Sequence, residues 1–177
     1  KELVETKNIK ALAVCFLHSY INPSHESAVV NLVQNEFPNL YVSSSSDVYP
    51  NMREFERWTT TAINAYTRPM IDQYLAKLEK DLEGLGFKGQ LYIMTSSGGM
   101  LSPITARRFP VRLLESGPAA GMLMSAVQGR TLKLPNILSF DLGGTTAKGA
   151  LVRNYKPLKS EQMEVDRVNE ARKGSGF

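Results

Sequence analysis

The chain has 177 residues, 42% of them hydrophobic and 21% charged, and a net charge of +4. That balance is ordinary for a globular protein with room for one domain, or a domain and part of another. The charge is too mild and scattered for a nucleic-acid binder; its densest group, Arg107, Arg108 and Arg112, reads as a solvated face.

The single cysteine, Cys15, sits in the apolar run Ala13–Leu17 and reads as a small buried hydrophobe. One thiol excludes an internal disulfide framework, which makes a reducing cytoplasm the expected setting. No apolar run approaches the ~18 residues of a membrane span, and no signal peptide is visible. The sequence opens at Lys1 without Met and stops within Lys173-Gly174-Ser175-Gly176-Phe177, so a fragment of a longer protein is expected.

In chain order, residues 9–20 read as a buried strand. Asn22-Pro23 then starts a helix whose inward face is Ala28, Val29, Leu32, Val33 and Phe37, ended by Pro38. His25 and Glu26 lack metalloprotease spacing, because the position four after His25 is Val29; both read as a surface helix start. Residues 40–48 form a second strand candidate, although Ser43-Ser44-Ser45-Ser46 looks too polar for a core.

Pro50-Asn51 opens a long helix, with Asn51 and Glu54 at capping-box spacing. Its predicted buried face is Phe55, Trp58, Ala62, Tyr66, Met70, Tyr74, Leu78, Leu82 and Leu85. Pro69 predicts a kink or break, and Gly84 and Gly86 the end. A third strand, 90–95, leads into Ser96-Ser97-Gly98-Gly99. Ser102-Pro103 begins a short helix, and Val111–Leu114 reads as a fourth strand ending at Glu115. Ser116 caps a helix through Gly117 and Gly121, stopped by Gly129; the two glycines fit either close helix packing or an anion near the helix N–H groups. Ile137–Phe140 reads as a buried strand, Gly149–Val152 as its partner and residues 161–168 as one more strand.

Strands alternating with helices predict an α/β fold with a mostly parallel sheet. Polar clusters at 96–99, 115–117 and 141–146 would fall at carboxyl ends of its strands, where such sheets bind ligands. The 141–146 cluster carries the most chemistry. Asp141 offers a hard oxygen for Mg²⁺, while Gly143 and Gly144 let backbone N–H groups approach an anion. Thr145 and Thr146 add hydroxyls and Lys148 a cation. The plainer reading is a tight Gly-Gly hairpin with no ligand.

The order of these motifs resembles the sugar-kinase, heat-shock-chaperone and actin ATPase superfamily. More closely, Ala13–Glu26, Arg53–Pro69, Met94–Leu101, Glu115–Gly121, Asp141–Lys148 and Lys173–Gly176 are similar to the ATP-dependent hydantoinase A / 5-oxoprolinase family, which includes acetone and acetophenone carboxylase subunits. The resemblance implies a ribonuclease-H-like, actin-like ATPase fold in which two lobes close over ATP. Residues 1–133 would be the end of the first lobe, with hinge helix 116–129, and 134–177 the start of the second lobe. It implies ATP-dependent opening of a cyclic amide such as a hydantoin, N-methylhydantoin or 5-oxoproline. Asp141 would be the catalytic residue and Mg²⁺ ligand. Gly143, Gly144, Thr145, Thr146, Lys148, Ser97, Gly98, Gly99 and Gly117 would contact the nucleotide. A hydantoinase B-type partner subunit or domain is implied, and neither nucleic acid nor membrane. No residue reads as an obvious general base. The alternatives are a ketone carboxylase subunit, a sugar kinase, or a nucleotide-gated interaction module without catalysis.

Overall fold

The computed structural model describes residues 1–144 and 146–159. It contains two compact units, Lys1–Gly89 with Arg107–Val111, and Gln90–Ala106 with 112–159. The expected strand over 161–168, the 173–176 loop and Thr145 lie outside the described residues.

The first unit is built on one βαβ crossover. A short helix α1 (Glu2–Lys7) precedes β1 (Ala11–Val14); α2 (Ser24–Glu36) then leads to β2 (Tyr41–Ser44), which pairs parallel to β1. Residues 15–22 are a loop rather than the rest of a long strand. Register separates the two sheet faces. Leu12, Val14, Leu40 and Val42 form one, packed with Val29, Val30 and Val33 of α2 and with its C-cap Phe37. Ala28 and Leu32, expected in that core, are exposed because the helix is rotated toward the valines. Ala13 and Ser43 lie side by side on the other face, against the long helix α4 (Glu54–Gly84). Helices on both sides explain why so short a parallel pair is buried.

The long helix corrects the sequence reading most. Its aromatic stripe is exposed: Phe55 at 52%, Tyr66 at 81%, Met70 at 60% and Tyr74 at 61%. Glu56, Arg57, Thr61, Asn64, Ala65 and Leu75 are buried instead. Polar side chains can face a sheet when each finds hydrogen-bond partners. Asn64 Nδ2 donates to Ser43 Oγ and to the Arg108 carbonyl, both at 3.1 Å, while Val111 N–H donates to Asn64 Oδ1 at 3.3 Å. The helix runs through Pro69 without interruption. It ends as expected: Gly86 adopts φ +79°, Phe87 N–H reaches the Leu82 carbonyl and Gly86 N–H that of Glu83, a Schellman closure.

Two further expectations fail in this unit. Ser43 and Ser45 are buried, at 3% and 0% exposure, and Glu26 is buried at 0% rather than marking a surface helix start. All three are members of hydrogen-bonded networks described below. A third helix, α3 (Ser45–Val48), follows β2 directly.

The second unit contains the hairpin β3 (Ile93–Met94) and β4 (Met100–Leu101), then α6 (Ser116–Leu132) and the antiparallel sheet β5 (Ile137–Leu142), β6 (Ala147–Arg153), β7 (Lys156–Pro157). The short helix α5 (Pro103–Arg108) carries the chain onward, and residues 110–113 are a 3₁₀ turn, not a strand. Among the described strands one pairing is parallel and three are antiparallel, so the fold is α/β with small sheets rather than a mostly parallel one. Alternation of elements predicts a parallel sheet only if the helices connect neighbouring strands; here β3 pairs antiparallel with β4 and β5 with β6, each strand folding back on its successor.

Ile137 and Ser139 face α6, whereas Leu138 and Phe140, expected to be buried, are 69% and 66% exposed. Gly129 does not stop α6, which runs on to Leu132 and closes with Lys133 at φ 59°. A Cβ at Gly129 would lie 2.5 Å from Ile137 Cδ1 and 2.9 Å from the Leu134 carbonyl oxygen; the glycine lets α6 approach β5. Gly117 and Gly121 have nothing within 4 Å of such an atom, which removes close packing as their reason.

Candidate functional site

The 141–146 cluster is the tip of the β5–β6 hairpin. Gly143 N–H donates to the Thr146 carbonyl at 3.0 Å, which closes the hairpin between β5 and β6. Asp141 pairs directly with Lys148, and antiparallel partners share a face. That face is the one carrying Ile137, Ser139 and Val152, which packs on α6. Asp141 and Lys148 therefore lie on the α6 side of the hairpin. The Lys148 ammonium forms an ion pair with Glu115, the N-cap residue of α6. Glu115 takes a left-handed conformation, φ 62°, where Gly117 follows as the second residue of the helix.

The 96–99 cluster joins the same unit. Thr95 N–H donates to the Gly99 carbonyl at 2.9 Å and Gly99 N–H to Thr95 Oγ1 at 3.0 Å. Gly98 adopts φ +85°, and a Cβ there would lie 2.7 Å from Leu123 of α6. The positive φ is what favours glycine here; the Leu123 methyl is the movable end of a flexible side chain. Ser96 N–H donates to the Arg112 carbonyl at 2.9 Å, and Lys159 Nζ to the Ser97 carbonyl at 3.1 Å. The three polar clusters thus meet around α6, although not through the parallel sheet that suggested it.

Asp141, Gly143, Gly144 and Thr146 are exposed, and nothing lies within 4 Å of a Cβ built at Gly144. A carboxylate, a hydroxyl, open glycine backbone, an ammonium and a helix start fit the donor set that a nucleotide phosphate with its divalent cation requires. Among the described residues, no group of three or more His, Cys, Asp or Glu gathers to hold a metal by itself. A cation here would rest on Asp141 and on oxygens brought by the ligand.

The buried polar network of the first unit was not legible as a unit. Glu26 Oε1 accepts from Phe16 N–H at 2.8 Å and from Ser45 Oγ at 2.6 Å; Oε2 accepts from Ser46 N–H at 2.8 Å. Burial opposes the charge, but these donors outweigh it and hold the carboxyl below its ordinary range. Arg57, fully buried, donates to the carbonyls of Phe16, Asn51 and Met52 and to Ser45 Oγ. The Ser45 hydroxyl spends its one proton on Glu26, so Ser19 must be the donor in their 3.0 Å contact. The available signal was the polar stripe Arg57, Thr61, Asn64 and Arg68 at helical spacing. Cys15 lies beside this network, and burial followed by the Glu26 charge pushes its thiol up to about 11.

The sequence profile described as hydantoinase/oxoprolinase matches residues 57–172, and that of the hydantoinase/oxoprolinase N-terminal region matches residues 2–37. An uncharacterized protein of Methanocaldococcus jannaschii is 38% identical over 99% of this chain and 26% of its own length. The caprolactamase subunit alpha of Pseudomonas jessenii is 30% identical over 79% of this chain and 20% of its own. The 5-oxoprolinase of Saccharomyces cerevisiae is 31% identical, over 82% and 11% respectively. The solved nucleotide-free structure of acetone carboxylase superposes with a TM-score of 0.74 at 28% identity, covering 86% of this chain and 22% of that one. The chain spans about a quarter or less of the length of these relatives. With the first profile matching well over half of its residues, the chain belongs to the hydantoinase/oxoprolinase family.

Proposed function

We propose that this chain is the phosphate-holding portion of an ATP-dependent enzyme that opens a cyclic amide. The observation that carries the reading is the Lys148–Glu115 ion pair, which seats the Asp141–Thr146 hairpin beside the start of α6. In this reading Asp141 holds Mg²⁺, Gly143, Gly144 and Thr146 hold phosphate oxygens together with Thr145, and Lys148 neutralises charge. Ser97, Gly98, Gly99 and Gly117 line the nucleotide's approach. Residues 1–133 are the end of one actin-like lobe and 134–177 the start of the next.

An amide carbonyl is a poor electrophile, and bound ATP supplies a phosphoryl group that activates its oxygen. Such a transfer depends on positioning and on charge stabilisation, which fixed backbone donors and a carboxylate-held cation provide. Relatives named 5-oxoprolinase and caprolactamase support the cyclic-amide reading. Relatives named as carboxylase subunits support the second reading, a ketone carboxylase subunit with a separate partner.

The test is ATP turnover by the protein with hydantoin, 5-oxoproline, caprolactam, or acetone plus bicarbonate, in wild type and Asp141→Asn. Cyclic-amide-dependent turnover that the substitution abolishes without lowering the unfolding midpoint is expected. Turnover with acetone and bicarbonate alone would move the assignment to the carboxylases, and undiminished turnover in the variant would remove Asp141.

A further inference from the structure

The network around Glu26 does more than fill a core. Parallel strands β1 and β2 end side by side, with Val14 opposite Ser44, and ligands favour the crevice beyond such ends. Glu26 ties the two exits together through Phe16 N–H on one side and Ser45 and Ser46 on the other. Arg57 holds the Phe16 carbonyl at 3.1 Å, so both backbone groups of Phe16 are fixed. Ser19, 2% exposed, is anchored on Ser45. Between these anchors stands His18, exposed, at φ +56°, a conformation that costs an ordinary L-residue energy. Its carbonyl accepts from Ile21 and Asn22, a turn that glycine or asparagine would make with less strain. Burying two charges is also costly. The result of both expenses is one imidazole displayed on a rigid loop, flanked by exposed Phe16 and Leu17.

We propose that this loop is a ligand-contacting site whose His18 imidazole hydrogen-bonds the amide of a small cyclic substrate, with Phe16 and Leu17 against its ring carbons. An imidazole can donate to a carbonyl oxygen or accept from a ring N–H. The choice of a cyclic amide rests on the function proposed above; the contact itself is tested independently of turnover.

The experiment is carbethoxylation of the protein by diethyl pyrocarbonate, read residue by residue by mass spectrometry, with and without saturating hydantoin, 5-oxoproline or caprolactam. His25, the second histidine and also exposed, is the internal control. Several-fold slower modification of His18 alone, with any one of these ligands, is expected. Equal rates at His18 with all three overturn the site. Steady-state kinetics of His18→Ala and His18→Gln supply a second readout: a KM for the amide raised about tenfold, the loss of a contact worth about 1.4 kcal/mol, with the KM for ATP unchanged and partial recovery by Gln. Protection without turnover would reject the proposed reaction and keep the site. Turnover without protection, at unchanged KM in both variants, would reject the site and keep the reaction.

Discussion

Glu26 and Arg57 are both fully buried and share one hydroxyl: Ser45 donates to Glu26 Oε1 at 2.6 Å and accepts from Arg57 Nε at 3.2 Å. The serine spreads two opposite charges over one hydrogen-bonded chain. Removing either end leaves the other charge buried beside unpaired donors or acceptors, the situation in which a buried ion is most destabilising.

Arg57→Lys is therefore not conservative. A lysine ammonium cannot reproduce the planar fork that reaches Phe16, Asn51, Met52 and Ser45 together. A loss of about 3 kcal/mol in urea-unfolding stability is expected. A loss below about 0.5 kcal/mol, the range of ordinary surface changes, would show that the network contributes nothing.

Glu26→Gln should have a pH signature. The folded carboxyl titrates below its ordinary range, because the donors on Ser45, Ser46 and Phe16 outweigh burial. Its stabilisation is fully present above the unfolded value of about 4.3 and is lost as pH falls through the lower folded value. The gap in urea midpoint between wild type and Glu26→Gln should be widest at neutral pH and narrow only below that unfolded value. A gap that grows on acidification would contradict the sign.

Cys15 should be unreactive. With its thiol pushed up to about 11 by burial and then by Glu26, thiolate is scarce at neutral pH. Alkylation by iodoacetamide at pH 8 should run roughly two orders of magnitude slower than for a free thiol. Rapid labelling of the folded protein would show that the residue is more open than the structure places it.

The two α6 glycines should part company on substitution. Gly129→Ala puts a methyl 2.9 Å from a backbone oxygen, where repacking is hard, and should cost about 1–3 kcal/mol. Gly121→Ala meets nothing within 4 Å and should gain about 0.5–1 kcal/mol from helix propensity. Thermal unfolding of both variants checks the contrast; equal shifts would remove the packing role of Gly129.

What the amino-acid sequence determined was local. The Gly86 helix end, the α2 and α4 starts within a residue or three, and the Asp141–Lys148 strand–turn–strand all follow from short-range geometry. Glycine, proline and asparagine act on backbone dihedrals within a turn or two, so their positions can be read directly. The family pattern was legible for the same reason, since it is made of such short motifs.

Which face of each element is buried was decided only by the tertiary structure. The aromatic stripe of α4 outweighs its polar stripe in hydropathy, yet Arg57, Thr61 and Asn64 face β1 and β2. Arg57 reaches Ser45 and the Phe16 carbonyl, and Asn64 reaches Ser43 and the Arg108 carbonyl, partners that lie 12 to 44 residues away in sequence. A polar side chain is stable inside only when such distant partners arrive together, and hydropathy along one segment does not contain them. The placement of Lys148 on Glu115 and the display of His18 arise in the same way: short motifs supplied the groups, and long-range pairing set where they stand.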